Sequence, residues 1–178
     1  FEEGALSSLL GAMLPSALSG RRLGAPELRA AAAALDELGT APIESVPHAA
    51  RSLRGLGSCA PHAARGLDLL HESRLLPEVL PELAATFGCE QPPEYHPEGD
   101  VFTHIRFMLS QLPADAGKTL IWSVLMHDIA KPATQSRDEG RIRFLGHEKV
   151  GAVMTLEIMN RLRFPKSNSA EVETCVRH

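Results

Sequence analysis

The sequence predicts an all-α protein that carries one small β-hairpin, and three observations support this prediction. Apolar residues recur at helical spacing through most of the chain. Prolines and glycines stand at the ends of these periodic segments, where they stop helices. Strand-like alternation occurs only in residues 139–144, where an expected Glu-Gly turn precedes the run RIRF. With 178 residues, the chain is long enough for one domain of ordinary size and a smaller helical region.

Composition narrows the classes of function. The chain is 44% hydrophobic and 22% charged, as is usual for globular proteins, and its net charge of −4 provides no overall positive field for nucleic acid. Its three cysteines include no C-x-x-C pair, which argues against a disulfide framework or a thiolate zinc site and favours the cytoplasm. No apolar run approaches the roughly 18 residues of a membrane span, so no membrane partner is expected. Because the chain begins with Phe1, we interpret it as a fragment.

The leading residues 1–88 are predicted to form a helical region, in which residues 1–60 are unassigned. Helices are expected in residues 1–14 and from Pro26 to Gly39, followed by short helices punctuated by prolines. The connection CEQPPEYHPEG, residues 89–99, holds three prolines and predicts a domain boundary. Three histidines of the leading region are predicted to lie at the surface, namely His48, His62 and His71.

Residues 89–178 are predicted to form the second domain. Asp100 is expected to cap a helix over 101–112, and Asp115 a helix over 116–129. A further helix should begin near Gly146, and Asn168 should cap the last one. The residues expected to face inward on these helices are Val101, His104, Ile105, Met108 and Leu112, then His147, Val150, Met154 and Ile158, and finally Val172, Cys175, Val176 and His178.

Four helices therefore each deliver a histidine from an inward or terminal position, and one of them also delivers an aspartate. Burying imidazoles beside a carboxylate is costly unless the groups are hydrogen-bonded, paired or bound to a cation. Imidazole nitrogen and carboxylate oxygen suit a divalent transition metal such as Mn, Fe, Ni, Co or Zn, and a carboxylate can bridge two ions. The sequence thus predicts one or two ions at a site formed by His104, His127, Asp128, His147 and His178.

The order H…HD…H…H resembles the HD superfamily of metal-dependent phosphohydrolases. The segments EQPPEYHPEGDVFTHIRFML, LMHDIAKPAT and DEGRIRFLGHEKVGA are similar to the HD-containing C-terminal part of bacterial tRNA CCA-adding nucleotidyltransferases and poly(A) polymerases. The resemblance covers residues 64–178. A Gly-rich turn and a D-x-D pair, which the nucleotidyltransferase head of that family should show, were not found, so nucleotide addition is not expected of this chain. The later aspartate of the HD pattern is also missing, so the HD domain is expected to be truncated at its C-terminal end.

The resemblance also implies roles for individual residues. One ion would be held by His104, His127 and Asp128, and a second by His147 and His178 with Asp128 bridging. A metal-bound water would then attack a phosphoester of a nucleotide or of an RNA 3′ end, possibly that of tRNA. Asp128 and Lys131 are the expected catalytic residues, with Lys131 binding phosphate or aiding acid catalysis. The weaker candidates are His96 and Glu98 as second-shell or rim groups, and Arg161, Arg163 and Lys166 as a basic cluster near a phosphate backbone.

Three functions remain open at this stage. The first is the phosphohydrolase just described. The second is a non-catalytic RNA-binding body of a CCA-adding or poly(A) polymerase whose chemistry lies in an absent head. The third is a structural helical domain in which the histidines serve packing or oligomerisation. Metal content separates the third function from the others, and phosphoester hydrolysis separates the first from the second.

Overall fold

The computed structural model describes Gly24, Pro26, residues 54–55 and residues 63–178. The helices predicted for residues 1–14 and for the segment between Pro26 and Gly39, and the surface positions of His48 and His62, lie outside the described residues. Within 63–178 the chain is helical apart from one two-stranded antiparallel hairpin, which confirms the predicted fold class. The elements are α1 Ala63–Glu72, α2 Leu76–Val79, α3 Pro81–Ala84, α4 Val101–Ser110, α5 Lys118–Met126, α6 Lys131–Thr134, β1 Ser136–Asp138, β2 Arg141–Arg143, α7 His147–Arg161 and α8 Lys166–Arg177.

A single hydrophobic core joins the helices on both sides of the Pro-rich connection. Helix α1 packs against α4, α4 packs against α5, and α8 packs against both α5 and α7. The boundary predicted between residues 88 and 89 stays a prediction, although the buried residues on its two sides form one cluster. No helix in the described part of the chain is long and apolar enough to cross a membrane. Among the largest fully buried side chains of this core are Leu69, Leu75, Leu83, Ile105, Ile121 and Trp122.

Helix α4 begins as the sequence predicts but buries a different stripe. The Asp100 Oδ1 atom accepts a hydrogen bond of 2.8 Å from the Thr103 backbone N–H, so Asp100 is the N-cap. The buried stripe runs through Val101, Ile105 and Leu109, whereas Met108 is 38% exposed. The predicted stripe is therefore wrong at Met108, whereas Leu112 lies beyond the helix end but still packs against the core. Residues 107–109 are consecutive apolar residues, so periodicity alone cannot choose which of them faces the core.

Helix α5 is shorter at both ends than predicted, and its early end shapes the site. Its N-cap is Gly117 rather than Asp115, and its last residue is Met126. Beyond it, the Ile129 N–H donates to the Met126 carbonyl and the Lys131 N–H donates to the Asp128 carbonyl. These i to i−3 bonds tighten the backbone into turns, as often happens at helix ends. Residues 127–130 therefore leave the α-helical path directly at the His-Asp pair.

The predicted hairpin is present. Strands β1 and β2 pair in antiparallel register, with Ser136 opposite Arg143. The turn residues Glu139 and Gly140 both have positive φ, at 47° and 79°. This combination is the one required by the tight type I′ turn, which matches the twist of the two strands.

Helices α7 and α8 pack closely through small residues, which corrects two predicted faces. A Cβ added to Gly151 would lie 3.3 Å from the Val176 side chain, so α8 selects the small-residue face of α7. In consequence Val150 is 40% exposed, contrary to prediction. Cys175 is exposed, also contrary to prediction, whereas Val172 and Val176 are buried. Helix α8 begins at Lys166, so Asn168 lies inside its first turn and the predicted cap there is wrong.

Candidate metal centre

The centre is built around Asp128, whose carboxylate is almost fully buried. The apolar helix α5 carries His127 and Asp128 into the interior, and the turns after Met126 aim both side chains toward helices α4 and α7. His127 Nε2 lies 3.2 Å and His104 Nε2 lies 3.8 Å from Asp128 Oδ2. His147 Nε2 lies 3.5 Å from the other oxygen, Oδ1. The structure thus brings together four of the five predicted ligands, from three separate helices.

Backbone carbonyls orient two of these rings. His127 Nδ1 lies 2.8 Å from the Val124 carbonyl, and His147 Nδ1 lies 2.8 Å from the Phe144 carbonyl. A carbonyl only accepts hydrogen bonds, so each Nδ1 must carry the proton. Nε2 of each ring faces Asp128: in the neutral ring it carries a lone pair that can bind a metal, and in the protonated ring it donates to the carboxylate. The neutral tautomer with the proton on Nδ1 is the one that a metal-binding histidine requires.

A carboxylate orients the third ring. His104 Nδ1 bonds to Glu98 Oε1, and His96 Nδ1 lies 3.2 Å from the same oxygen. A backbone hydrogen bond at Glu98 itself, together with that from His104, lowers the pKa of the Glu98 carboxyl to about 2. Burial lowers the pKa of His104, against a smaller opposing effect of Glu98. The ring is therefore neutral near pH 7, with Nδ1–H on Glu98 and the Nε2 lone pair directed at Asp128.

These residues fit a divalent cation. Ligand atoms of His104, His127 and Asp128 all lie within 4.8 Å of one another. Three imidazole Nε2 atoms, including that of His147, face the ionised Asp128 carboxylate. Buried Asp128 Oδ2 also lacks an aligned hydrogen-bond donor. Two nitrogens and one oxygen suit a transition metal better than Ca²⁺ or Mg²⁺. The two oxygens face different histidines, an arrangement that is compatible with a carboxylate bridging two ions.

Lys131 supplies the only positive charge within 4 Å of Asp128 other than the histidines, among the residues the structure describes. Its Nζ lies 2.7 Å from Asp128 Oδ2 and donates a hydrogen bond of 2.6 Å to Gln91 Oε1. The contact with Oδ2 is a close ion pair whose direction is poor for hydrogen bonding. Burial raises the pKa of Asp128, but His127 and Lys131 outweigh burial, so the pKa of this carboxyl lies well below its ordinary value. Lys131 is buried, so it is not a solvated helix-end lysine.

The centre is open on one side. The His127 and His147 side chains are 32% and 29% exposed, whereas that of Asp128 is 4% exposed. A metal site that faces solvent through its histidines can receive a water molecule or a substrate, unlike a closed structural site.

The remaining predicted site residues lie elsewhere or at the edge. His178 is exposed at the C-terminal end of α8 and belongs to neither ligand cluster found among the described residues, so its metal role stays a prediction. Arg161 forms a two-pronged ion pair with Glu82, at 2.6 and 2.7 Å, which commits its charge. Arg163 and Lys166 are exposed. His96 and Glu98 lie beside His104, at the rim where the sequence placed them.

Sequence reasoning missed Gln91, which is 5% exposed and accepts the hydrogen bond from Lys131. It lies in the Pro-rich connection, which has no periodicity that could reveal a buried side chain. It also missed Phe144, whose ring centroid lies 5.2 Å from Lys131 Nζ, a cation–π distance.

The fold and the site together define a class: a helical domain with a buried His-Asp centre suited to a divalent metal. No family model matches the chain. It is 41% identical over 112 residues to the A-adding tRNA nucleotidyltransferase of Deinococcus radiodurans, covering 60% of this chain and 25% of that protein. It is 38% identical over 126 residues to the CC-adding tRNA nucleotidyltransferase of Thermus thermophilus, covering 66% and 28%. For the multifunctional CCA protein of Halorhodospira halophila the identity is 35% over 112 residues, covering 62% and 26%.

The homologues of this chain are thus tRNA nucleotidyltransferases, as the sequence resemblance predicted. The chain spans about a quarter of the length of these curated relatives. The extent of the match fits the C-terminal part of those proteins.

Proposed function

We propose that this chain is an HD-type, metal-dependent phosphohydrolase domain that acts on RNA-terminal or nucleotide phosphoesters. The observation that carries the proposal is the convergence of three histidine Nε2 atoms on the two oxygens of buried Asp128. Each ring is held in the metal-binding tautomer by a separate acceptor, which a packing role for the histidines does not require.

In this proposal the residues divide into two ligand groups. His104, His127 and Asp128 would hold one divalent ion, and His147 with Asp128 would contribute to a second. When bound, the metal supplies a water of lowered pKa and neutralises charge on the phosphoryl oxygens. Glu98 keeps His104 oriented, with Nδ1 on the carboxylate and Nε2 toward Asp128. Lys131 keeps Asp128 ionised and in place, a more direct role for this buried side chain than contact with substrate.

The relatives' names provide the substrate class. Two of the three relatives are tRNA nucleotidyltransferases by name, so we place this domain in a protein of RNA processing with tRNA or another RNA end as its partner. A cytoplasmic location, favoured by the cysteine pattern, is part of the same proposal. Nucleotide addition is not proposed, since the match covers only a quarter of those enzymes.

The test is the metal content of the purified chain, measured by elemental analysis after supplying Mn²⁺ or Ni²⁺, together with hydrolysis of bis(p-nitrophenyl) phosphate. The parent should bind one or two equivalents and hydrolyse the ester, and Asp128→Ala should do neither. Asp115→Ala removes an exposed carboxylate far from any histidine ligand in sequence and should behave as the parent. Metal binding and hydrolysis that survive in Asp128→Ala would refute the assignment.

A second function has an observation of its own. Lys131 Nζ already lies 2.7 Å from Asp128 Oδ2, so the carboxylate has a charge partner without any metal. A non-catalytic RNA-binding body of a tRNA nucleotidyltransferase could have the same Lys131–Asp128 ion pair without binding any metal. In that case the parent would bind RNA but take up no metal and hydrolyse no ester.

A further inference from the structure

A surface cleft lies between the Pro-rich connection and the β-hairpin, outside the metal centre. The outer part of the cleft, lined by Tyr95 and Arg141, has a volume of about 410 Å³. The inner part, lined by Gln91 and His96 near the metal centre, has a volume of about 490 Å³. Both volumes are within the range of small-molecule sites. Both parts are lined by Pro93 and Ile142, so they are adjacent. Gln135 Nε2 donates 3.0 Å to the Glu90 carbonyl and Arg137 lies 2.5 Å from the Glu90 carboxylate, which ties the two walls together.

The outer part contains an exposed aromatic ring and a positive charge that forms no ion pair among residues 63–178. The Tyr95 side chain is 80% exposed. Its backbone is held in place, because the Tyr95 N–H donates to the Pro92 carbonyl within the Pro-rich connection. Arg141 has no side-chain partner among residues 63–178, unlike Arg137 and Arg143 on the same hairpin, which pair with Glu90 and Asp138. An exposed aromatic face beside a cation is the combination that stacks a base and binds the adjoining phosphate.

The inner part leads to the metal centre. It is lined by Gln91, which accepts a hydrogen bond from Lys131, and by His96, which contacts Glu98. Lys131 and Glu98 in turn contact Asp128 and His104. Tyr95 and Arg141 thus lie in the part of the surface that adjoins the residues at the rim of the His-Asp cluster.

We infer that this cleft binds a single-stranded RNA end, with Tyr95 stacking on a base and Arg141 binding a backbone phosphate. The inference deepens the proposed function, on which it rests, by naming the substrate class and the residues that select it. Two lining carboxylates without an ion-pair partner among the described residues oppose it: Glu94 is exposed and repels a phosphate in the outer part, and Asp100, the cap of α4, lines the inner part.

The test uses a short fluorescein-labelled oligoadenylate, with binding followed by fluorescence anisotropy in EDTA at low ionic strength. Tyr95→Ala should weaken binding roughly five- to hundredfold, the range for loss of one base–aromatic stack, while Tyr95→Phe keeps it. Arg141→Ala should weaken binding and lower the salt dependence by about one phosphate contact, a slope change of about 0.7. Glu94→Gln should tighten binding.

Arg143→Ala is the matched control, because it removes the same charge from the same strand where Asp138 already neutralises it. It should leave the affinity unchanged. Equal losses for Arg143→Ala and Arg141→Ala, or unchanged binding in both Tyr95→Ala and Arg141→Ala, would overturn the inference. Competition by inorganic tripolyphosphate as effective as that by unlabelled oligoadenylate would also overturn it, since no base would then be recognised.

Failure of the proposed function shows up separately. The metal content of the parent and its hydrolysis of bis(p-nitrophenyl) phosphate test the proposed function without the cleft variants. If the parent hydrolyses nothing and binds no metal, yet oligoadenylate binding still depends on Tyr95, the phosphohydrolase proposal fails and the RNA cleft stands. If hydrolysis proceeds but oligoadenylate binding ignores both residues, the reverse holds.

Discussion

Replacing Lys131 by Met tests whether the lysine and a metal share one task at Asp128. The substitution removes the ammonium that lies 2.7 Å from Asp128 Oδ2 and 2.6 Å from Gln91 Oε1, and keeps a side chain of similar length. Both charged side chains are less than 10% exposed, so solvent cannot replace the lost partner. Breaking one side of a buried ion pair costs about 3–5 kcal/mol, and we expect a loss of that size in the metal-free protein.

The metal-bound protein should respond differently. A divalent ion at the same oxygen would compensate Asp128 by itself, so Mn²⁺ should recover most of the loss in Lys131→Met. The assay is urea unfolding followed by circular dichroism, with and without excess Mn²⁺, in the parent, Lys131→Met, Asp128→Asn and the double variant. The double variant removes both charges, so without metal its loss of unfolding free energy should be smaller than the sum of the losses in the two single variants. Lys149→Met, on the exposed face of α7, should change stability by less than about 0.5 kcal/mol.

Two results would refute this reasoning. A metal-free loss below about 1 kcal/mol in Lys131→Met would mean that the buried pair contributes as little as a surface pair. An equal loss with and without Mn²⁺, in protein that elemental analysis shows to be loaded, would mean that the ion does not act at Asp128.

The other predictions concern the shell around the centre and the scaffold beneath it. Glu98→Gln should weaken Mn²⁺ binding about 10- to 100-fold, measured by titration calorimetry, because His104 loses the carboxylate that orients it; unchanged affinity would contradict this role. Gly151→Val should destabilise the fold by about 1–3 kcal/mol, because even a Cβ there lies 3.3 Å from Val176; Val153→Ala on the exposed face of α7 is the control for urea unfolding. Asp100→Ala should cost about 1 kcal/mol at pH 7 through loss of the α4 cap. Burial raises the Asp100 pKa, but hydrogen bonds from the Thr103 and Gly88 amides outweigh burial and lower this pKa. The contribution of Asp100 to stability is therefore complete above the unfolded pKa of about 3.9 and declines as the pH falls through the lower folded pKa. A stability difference between parent and variant that grows in acid would contradict this.

The candidate ligands of the centre were predictable because their positions are encoded locally. His127 and Asp128 directly follow the apolar run of α5, so a helix that buries this run must also bring the pair to the core. His147 stands in the first turn of α7, immediately after a glycine whose positive φ, 76°, ends the preceding turn. The partners that hold these ligands were less accessible. The Nδ1 acceptors are two backbone carbonyls and one side chain, Glu98, and a carbonyl leaves no trace in residue type.

Periodicity also erred where several apolar residues adjoin. It selected Met108 and Val150 as inward, but both are exposed. Hydrophobic spacing defines a helix face only up to one residue, and the neighbouring helix decides which phase is buried. On α7 that neighbour is α8, whose close approach requires Gly151 and excludes larger side chains.

Residue order and type therefore decided the helical class, the hairpin turn at 139–140, the cap at Asp100 and the placing of the His-Asp pair at the core, since each depends on neighbours within a few positions. Only the tertiary structure decided that Lys131 is buried on Gln91, a residue 40 positions away, and that Tyr95 and Arg141 line one surface cleft. The reason is physical. Ion pairs and clefts form between segments that approach only when the core closes, and their energies depend on burial, which a sequence pattern does not report.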